Sequence, residues 1–194
     1  MTAADLASIA RTLKREGARN INYVGGDPTP STWIILDAIR QLRVNIPQLW
    51  NSNMYCSKEC MMLLLDVMDF WLPDFKYGNN ECAEKLSKVK NYWEVVSRNH
   101  KLAYEQTVAN GSSGMIIRHL VLPGHVECCT RPVLEWIAEN CPKALVNVMS
   151  QYYPTHLVPK SKNYRDINRR VSPEEMQKAY QLADELGLVW RPVS

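Results

Sequence analysis

The sequence predicts an α/β fold built on a parallel sheet, and three observations lead there. Short apolar runs of β type alternate with amphipathic helical runs along the chain, the pattern of parallel strands joined by crossover helices. Five such apolar runs recur, starting at residues 21, 47, 68, 115 and 144. Each ends in a polar or glycine-bearing motif: GGDPTP, NSN, PDFKYGN, PGHVE and SQYYP. In a parallel sheet or barrel those C-terminal strand ends share one face, where sites are assembled. A doubly wound sheet and a barrel or partial barrel both satisfy the pattern.

The elements follow in order. Residues 2–16 read as an amphipathic helix, with Thr2 as N-cap, Asp5 at the capping-box position and Gly17 as the stop. The run 21–24 is a strand, and a helix is expected over 31–40. A strand over 47–50 precedes a helix over 57–67, whose inner face carries Met61, Leu64, Leu65 and Met68. The strand over 68–72 is followed by helices over about 80–89 and 91–108. Residues 115–122 form the clearest strand. Helix 131–140 has Thr130 as expected cap and Pro132 in its first turn. After a strand over 144–149, Ser172, Pro173 and Glu175 make a capping box with Pro at N1, and Gly187 closes that last helix.

Composition narrows the function classes. The chain has 194 residues, 46% hydrophobic and 22% charged, which fits a single globular domain over 1–194. A net charge of +3, with no dense Lys/Arg run among aromatics, gives no footprint for nucleic acid. No apolar run reaches a membrane span. Six cysteines without a signal-like N-terminus suit a reducing compartment, the cytoplasm.

Several residues carry chemistry. Gly25 and Gly26 let a backbone approach a ligand closely, and Asp27 adds a carboxylate suited to an ammonium group. Asp74 and Lys76, two apart on an extended segment, point the same way and can bind hydroxyls and a carboxylate. Arg118 and His119 fall on opposite faces of an apolar strand, and a buried Arg there needs an anionic partner. His119, His125 and Glu127 offer metal-type donors without matching a tight motif. Cys56 and Cys60 lack a third cysteine at position 63, which is Leu. Cys60 reads as the buried face of a helix; Cys128 and Cys129 are adjacent, and Cys82 and Cys141 stand alone. All six are therefore expected to be buried or idle thiols, with no metal site.

Taken together, NINYVGGDPTP, WNSNMY, LPDFKYGN, IIRHLVLPGHVECC and VNVMSQY resemble the radical S-adenosylmethionine proteins related to pyruvate formate-lyase activating enzyme. The resemblance runs from about Ala3 to Leu188. It implies a partial six-unit (β/α) barrel in which residues 2–16 are the first helix and the five apolar runs are strands two to six, the first strand missing. In that family the loop after the first strand carries C-x3-C-x2-C, which holds a [4Fe–4S] cluster; this sequence contains no such motif.

By the same resemblance, Gly25, Gly26 and Asp27 receive the amino group of S-adenosylmethionine, with Asp standing where the family has Glu. Asn51 and Asn53 lie at the third strand end, and Asp74 and Lys76 at the fourth, near ribose and carboxylate. Arg118 or His119 lines the adenosine side, and Gln151 with Tyr152 closes the sixth strand end. The implied activity is reductive cleavage of S-adenosylmethionine with a protein partner of the glycyl radical enzyme type, here in an incomplete or inactive form without the cluster. Two other readings stand beside it: a non-catalytic ligand-binding or protein-interaction module, and a metal-dependent barrel enzyme using His119, His125 and Glu127. Loss of the first strand is further expected to leave the edge at 21–24 open to self-association.

Overall fold

The computed structural model describes residues 1–111, 114–191 and 193. Its centre is a sheet of five parallel strands in chain order: β1 (Ile21–Tyr23), β2 (Gln48–Trp50), β3 (Phe70–Trp71), β4 (Gly114–Leu120) and β5 (Leu145–Met149). Seven helices accompany it: α1 (Ala3–Arg15), α2 (Thr32–Leu42), α3 (Lys58–Leu65), α4 (Asn80–Ser87), α5 (Tyr92–Asn110), α6 (Arg131–Asn140) and α7 (Pro173–Glu185). Consecutive strands are neighbours throughout, which the doubly wound alternative would not give.

Local chemistry explains the helix boundaries. Thr2 and Asp5 form a reciprocal capping box on α1, and Ser172 with Glu175 does the same on α7. Each pair satisfies two N–H groups that a helix start leaves orphaned. Gly17 takes φ +94, a left-handed value that ends α1 at little steric cost. Thr130 is not the cap expected for α6. It sits in αR geometry at the end of a π turn, Val126–Thr130, and its hydroxyl is used elsewhere.

Burial alternates along the long strands. On β4, Met115, Ile117 and His119 are buried, while Ile116, Arg118 and Leu120 on the other face are half-buried. On β5, Val146 and Val148 are buried and Asn147 is not. The buried side carries a dense aromatic core: the Phe75 ring lies 4.7 Å from His100, 5.3 Å from Trp93 and 5.4 Å from Trp136, centre to centre. Met61, Leu64 and Met68 are buried as expected, whereas Leu65 and Cys60 are half-buried.

The two sheet edges differ. Backbone N–H of Val146 on β5 donates to Val189, so the C-terminal segment covers part of that edge. The outer edge of β1 has no strand partner among the described residues. A groove of about 610 Å³ runs beside it, lined in part by Leu6, Ile9, Leu13, Val24 and Ile34.

Two histidines are sealed in this core. His100 Nδ1–H donates to the Val96 carbonyl at 2.8 Å. His119 Nδ1–H donates to the Phe75 carbonyl at 2.7 Å, and its Nε2 accepts from Thr130 Oγ1 at 2.9 Å. Burial pulls both imidazoles from 6.5 down to about 4. The unfolded chain protonates them below pH 6.5 while the folded chain does not. Unfolding free energy should therefore fall as pH drops from 6.5 towards about 4, by roughly 3 kcal/mol per histidine. Denaturant midpoints measured across that window check this, and a flat profile would contradict the neutral burial of both rings.

Candidate binding site at the strand ends

Arg118 organises the C-terminal ends of the strands. It lies on the half-buried face of β4, with its side chain 24% exposed. Its guanidinium donates to Asn51 Oδ1 just past β2 and pairs with Asp74 Oδ1 just past β3, both at 2.7 Å. Lys76 Nζ contacts the other oxygen of Asp74 at 2.6 Å. The backbone sets this up: Asp74 N–H donates to Ser52, Phe75 N–H to Arg118, and Arg118 N–H to Pro73. The strands thus continue their pairing as far as the polar residues. Arg118 Nε is buried without a hydrogen-bond partner among the described residues.

Asp27 makes a second polar knot beside it. Its carboxylate accepts from the Thr29 N–H at 2.9 Å, from the Asn53 N–H at 2.8 Å and from Ser52 Oγ at 3.1 and 3.2 Å. These bonds tie the GGDPTP turn to the loop after β2 and occupy most of the acceptor capacity of the carboxylate. Gly25 and Gly26 are exposed, with no atom within 4 Å of the place a Cβ would take. Asn53 Oδ1 accepts from the Tyr55 N–H at 2.8 Å.

Next to the Asp74–Lys76 pair opens a cavity of about 340 Å³. Tyr55, Tyr77, Tyr92 and Tyr152 line it together with Leu120, Leu122, Asn53 and Lys76. The Tyr92 hydroxyl accepts from the Lys76 N–H at 2.9 Å, and burial drives its pKa up. The Tyr152 hydroxyl is buried and unpartnered among the described residues. This is an aromatic slot whose lining includes one cation, Lys76, and one side-chain amide, Asn53, suited to a flat, partly polar ligand. Tyr55, Tyr77 and Tyr152 lie in the strand-end segments WNSNMY, PDFKYGN and SQYYP, whereas nothing local marks Tyr92.

The structure brings together Asn51, Asn53, Asp74, Lys76 and Arg118, and places Gly25, Gly26 and Asp27 at the neighbouring strand end. It sets His119 apart. That ring is fully buried on the opposite face of β4 with both nitrogens engaged, so it has nothing to offer a ligand. Gln151 is exposed beyond β5. The His119, His125 and Glu127 metal set is not assembled either. His119 is spent on Phe75 and Thr130, and Glu127 is exposed and paired with Arg131 at 2.8 Å.

Five of the six thiols divide into two kinds. Burial pushes Cys56 and Cys141 up to about 12, so neither is a nucleophile near neutral pH. Cys82, Cys128 and Cys129 instead converge on His125, with one donor atom from each residue within 4.8 Å of the others. The sequence reading, which took the six thiols one by one, did not foresee that these three converge. The available signals were the H-x2-C-C spacing at 125–129 and a cysteine in the first turn of α4. A [4Fe–4S] cluster does not fit among the described residues. The sequence has no C-x3-C-x2-C, and the converged donors crowd around a single point, whereas a cubane holds its thiolates apart on its corners.

Three comparisons bear on this arrangement. No family model matches the chain. It is 50% identical over 175 residues to an uncharacterized protein of Methanocaldococcus jannaschii, covering 90% of this chain and 49% of that protein. The chain thus spans about half the length of the curated relative it matches. Among solved structures, a domain of the pyruvate-formate lyase-activating enzyme of Bacteroides vulgatus superposes with a TM-score of 0.63 at 18% identity, covering 89% of this chain and 98% of that one. Streptococcus suis SuiB bound to S-adenosylmethionine superposes at 0.67 and 16% identity, over 95% of this chain and 40% of that one. The same SuiB bound to its precursor peptide SuiA gives 0.65, also at 16% identity, over 98% and 42%. The α/β fold with its five-stranded parallel sheet is therefore shared with the activating-enzyme domain and with part of SuiB.

Packing between the loops after β3 and β4 leaves no slack. A Cβ on Gly78 would meet Cys128 O at 2.7 Å and Cys129 Cα at 2.8 Å, both backbone atoms. Gly78→Ala should therefore cost about 1–3 kcal/mol, seen as a lower thermal midpoint. An unchanged midpoint would mean the two loops are not in this contact.

Proposed function

We propose that this chain forms the S-adenosylmethionine-binding part of a radical S-adenosylmethionine-type protein related to pyruvate formate-lyase activating enzyme; the 194 residues themselves carry no C-x3-C-x2-C. One observation carries the reading: the Asn51–Arg118–Asp74–Lys76 chain spans three successive strand ends beside an aromatic slot. The fold is the one seen in SuiB, a protein solved with S-adenosylmethionine bound. A curved partial barrel is the architecture we propose. Strands adjacent in chain order with right-handed crossovers put all helices on one face, leaving the other face as the interior. The half-buried Ile116, Arg118 and Leu120 belong to that interior face.

In this reading the adenine stacks among Tyr77, Tyr92 and Tyr152, where the unpartnered Tyr152 hydroxyl gains a bond. Lys76 and Asp74 face the ribose and carboxylate. The backbone at Gly25 and Gly26 approaches the methionine amino group, which binds Asp27 by displacing one of its present donors. The role of these residues in this reading is to bind and orient S-adenosylmethionine. SuiB was solved with a precursor peptide, which supports a peptide or protein substrate; the family resemblance implies one of the glycyl radical enzyme type.

Calorimetry with S-adenosylhomocysteine tests the site. Without a metal to chelate the amino acid end, affinity should be on the order of a millimolar dissociation constant, about 4 kcal/mol. Asp74→Ala, Lys76→Ala and Tyr152→Phe should each weaken it, and Arg40→Ala on the exposed surface of α2 should not. Binding indifferent to all three site variants would remove this reading.

The open edge of β1 supports self-association, with a second copy of this chain in the apolar groove. Sedimentation should show a concentration-dependent dimer or larger species. A monomer persisting at high concentration would refute it.

A further inference from the structure

Cys82, His125, Cys128 and Cys129 come from two separate loops and meet at one point. Cys82 lies in the first turn of α4, where Asn79 Oδ1 caps its N–H at 2.8 Å. The other three lie on the turn that follows β4 and runs through the π segment into α6. Cys82 Sγ is 3.7 Å from Cys128 Sγ and 3.7 Å from His125 Nδ1. His125 Nδ1 is 3.2 Å from Cys128 Sγ and 3.9 Å from Cys129 Sγ. A tetrahedral ion with metal–sulfur bonds of about 2.3 Å and metal–nitrogen bonds of about 2.0–2.1 Å sets its ligand atoms roughly 3.5–3.8 Å apart. The four measured edges bracket that value.

The surroundings are those of a prepared site. His125 Nε2 faces Asp166 Oδ2 at 3.3 Å, which fixes the Nε2–H tautomer and leaves the Nδ1 lone pair aimed at the three thiols. Asp166 is held in turn by Lys85 of α4 at 2.6 Å. Asn79 Nδ2 donates to the Cys128 carbonyl at 2.7 Å, and Gly78 lets the two backbones touch. Cys82, Cys129 and His125 are buried. Adjacent cysteines can both reach the point because the π turn between His125 and Thr130 is wider than an α turn; the Cys129 and Thr130 N–H groups both donate to the His125 carbonyl.

We propose that these four residues form a closed, structural Cys3His site for one divalent metal ion, zinc by its donor set. Three thiolates and one imidazole complete the tetrahedron with no position open to a substrate, so the ion holds structure rather than performing chemistry. It would clamp the loop that carries Asp74, Lys76 and Tyr77 to the loop that follows Leu122, two walls of the aromatic slot.

Purified 194-residue chain, kept reduced, should hold one zinc ion by elemental analysis and remain colourless after incubation with iron and sulfide. Cobalt(II) exchanged into the chain should give thiolate charge-transfer and tetrahedral ligand-field bands. Cys82→Ser, Cys128→Ser and His125→Ala should abolish stoichiometric metal, while Cys60→Ser and Cys141→Ser keep it. Asp166→Asn should lower zinc affinity by about 10–100-fold without removing the site. Should the ligand variants fail to fold, the wild type still decides: a strong chelator should lower its thermal midpoint and added zinc should restore it. Absence of stoichiometric zinc in the reduced wild type would overturn the proposal. So would four irons per chain with sulfide, or a Cys82–Cys128 disulfide as the native state.

Discussion

A guanidinium on a half-buried strand face has to be paired, and much of this molecule is arranged around doing so. Arg118 sits among Ile116, Leu120 and the neighbouring strands, where an unpaired charge would be costly. Its two partners arrive from different strand ends, Asn51 past β2 and Asp74 past β3. Pairing is possible only if β2, β3 and β4 are in register to their last residue. The next residue enforces the same register from the other side. His119 needs the Phe75 carbonyl and the Thr130 hydroxyl, both in the core. A slip of one residue would exchange the two, driving the charge into the aromatic core and the neutral ring towards Asp74.

That double demand explains what the sequence revealed and what it hid. The alternation of apolar runs, the capping boxes at Thr2/Asp5 and Ser172/Glu175, and the opposite facing of Arg118 and His119 are local facts, set by residues within a turn or two. The proximity of Asp74 and Lys76 was legible for the same reason. Which face of β4 looks into the site was not, because it depends on what packs against each side. Asp27 reads as a free ligand until Ser52 and Asn53, more than twenty residues away, are seen to surround it. Thr130 has the composition of a cap but is recruited by His119 instead.

The thiol cluster was hidden by distance and by turn type. Cys82 and His125 are 43 residues apart, and nothing in the intervening chain signals their meeting. Cys128 and Cys129 look unable to reach one point together until the turn that carries them is found to be a π turn. Small devices then do the joining: Gly78 permits contact, Asn79 bonds both loops, and Asp166 bridges His125 to Lys85. The aromatic slot is framed by the loops so joined.

The order of the strands has a bearing on synthesis as well as on shape. Each strand of this sheet pairs with the one made just before it, and no pairing waits for a distant segment to be inserted between two others. A growing chain emerging from a ribosome can therefore add one strand and its helix at a time to an edge already in place. Proteins whose central strands come last must hold an unfilled gap until the end of translation. Here the exposed template is always the newest strand, and its next partner is already on the way.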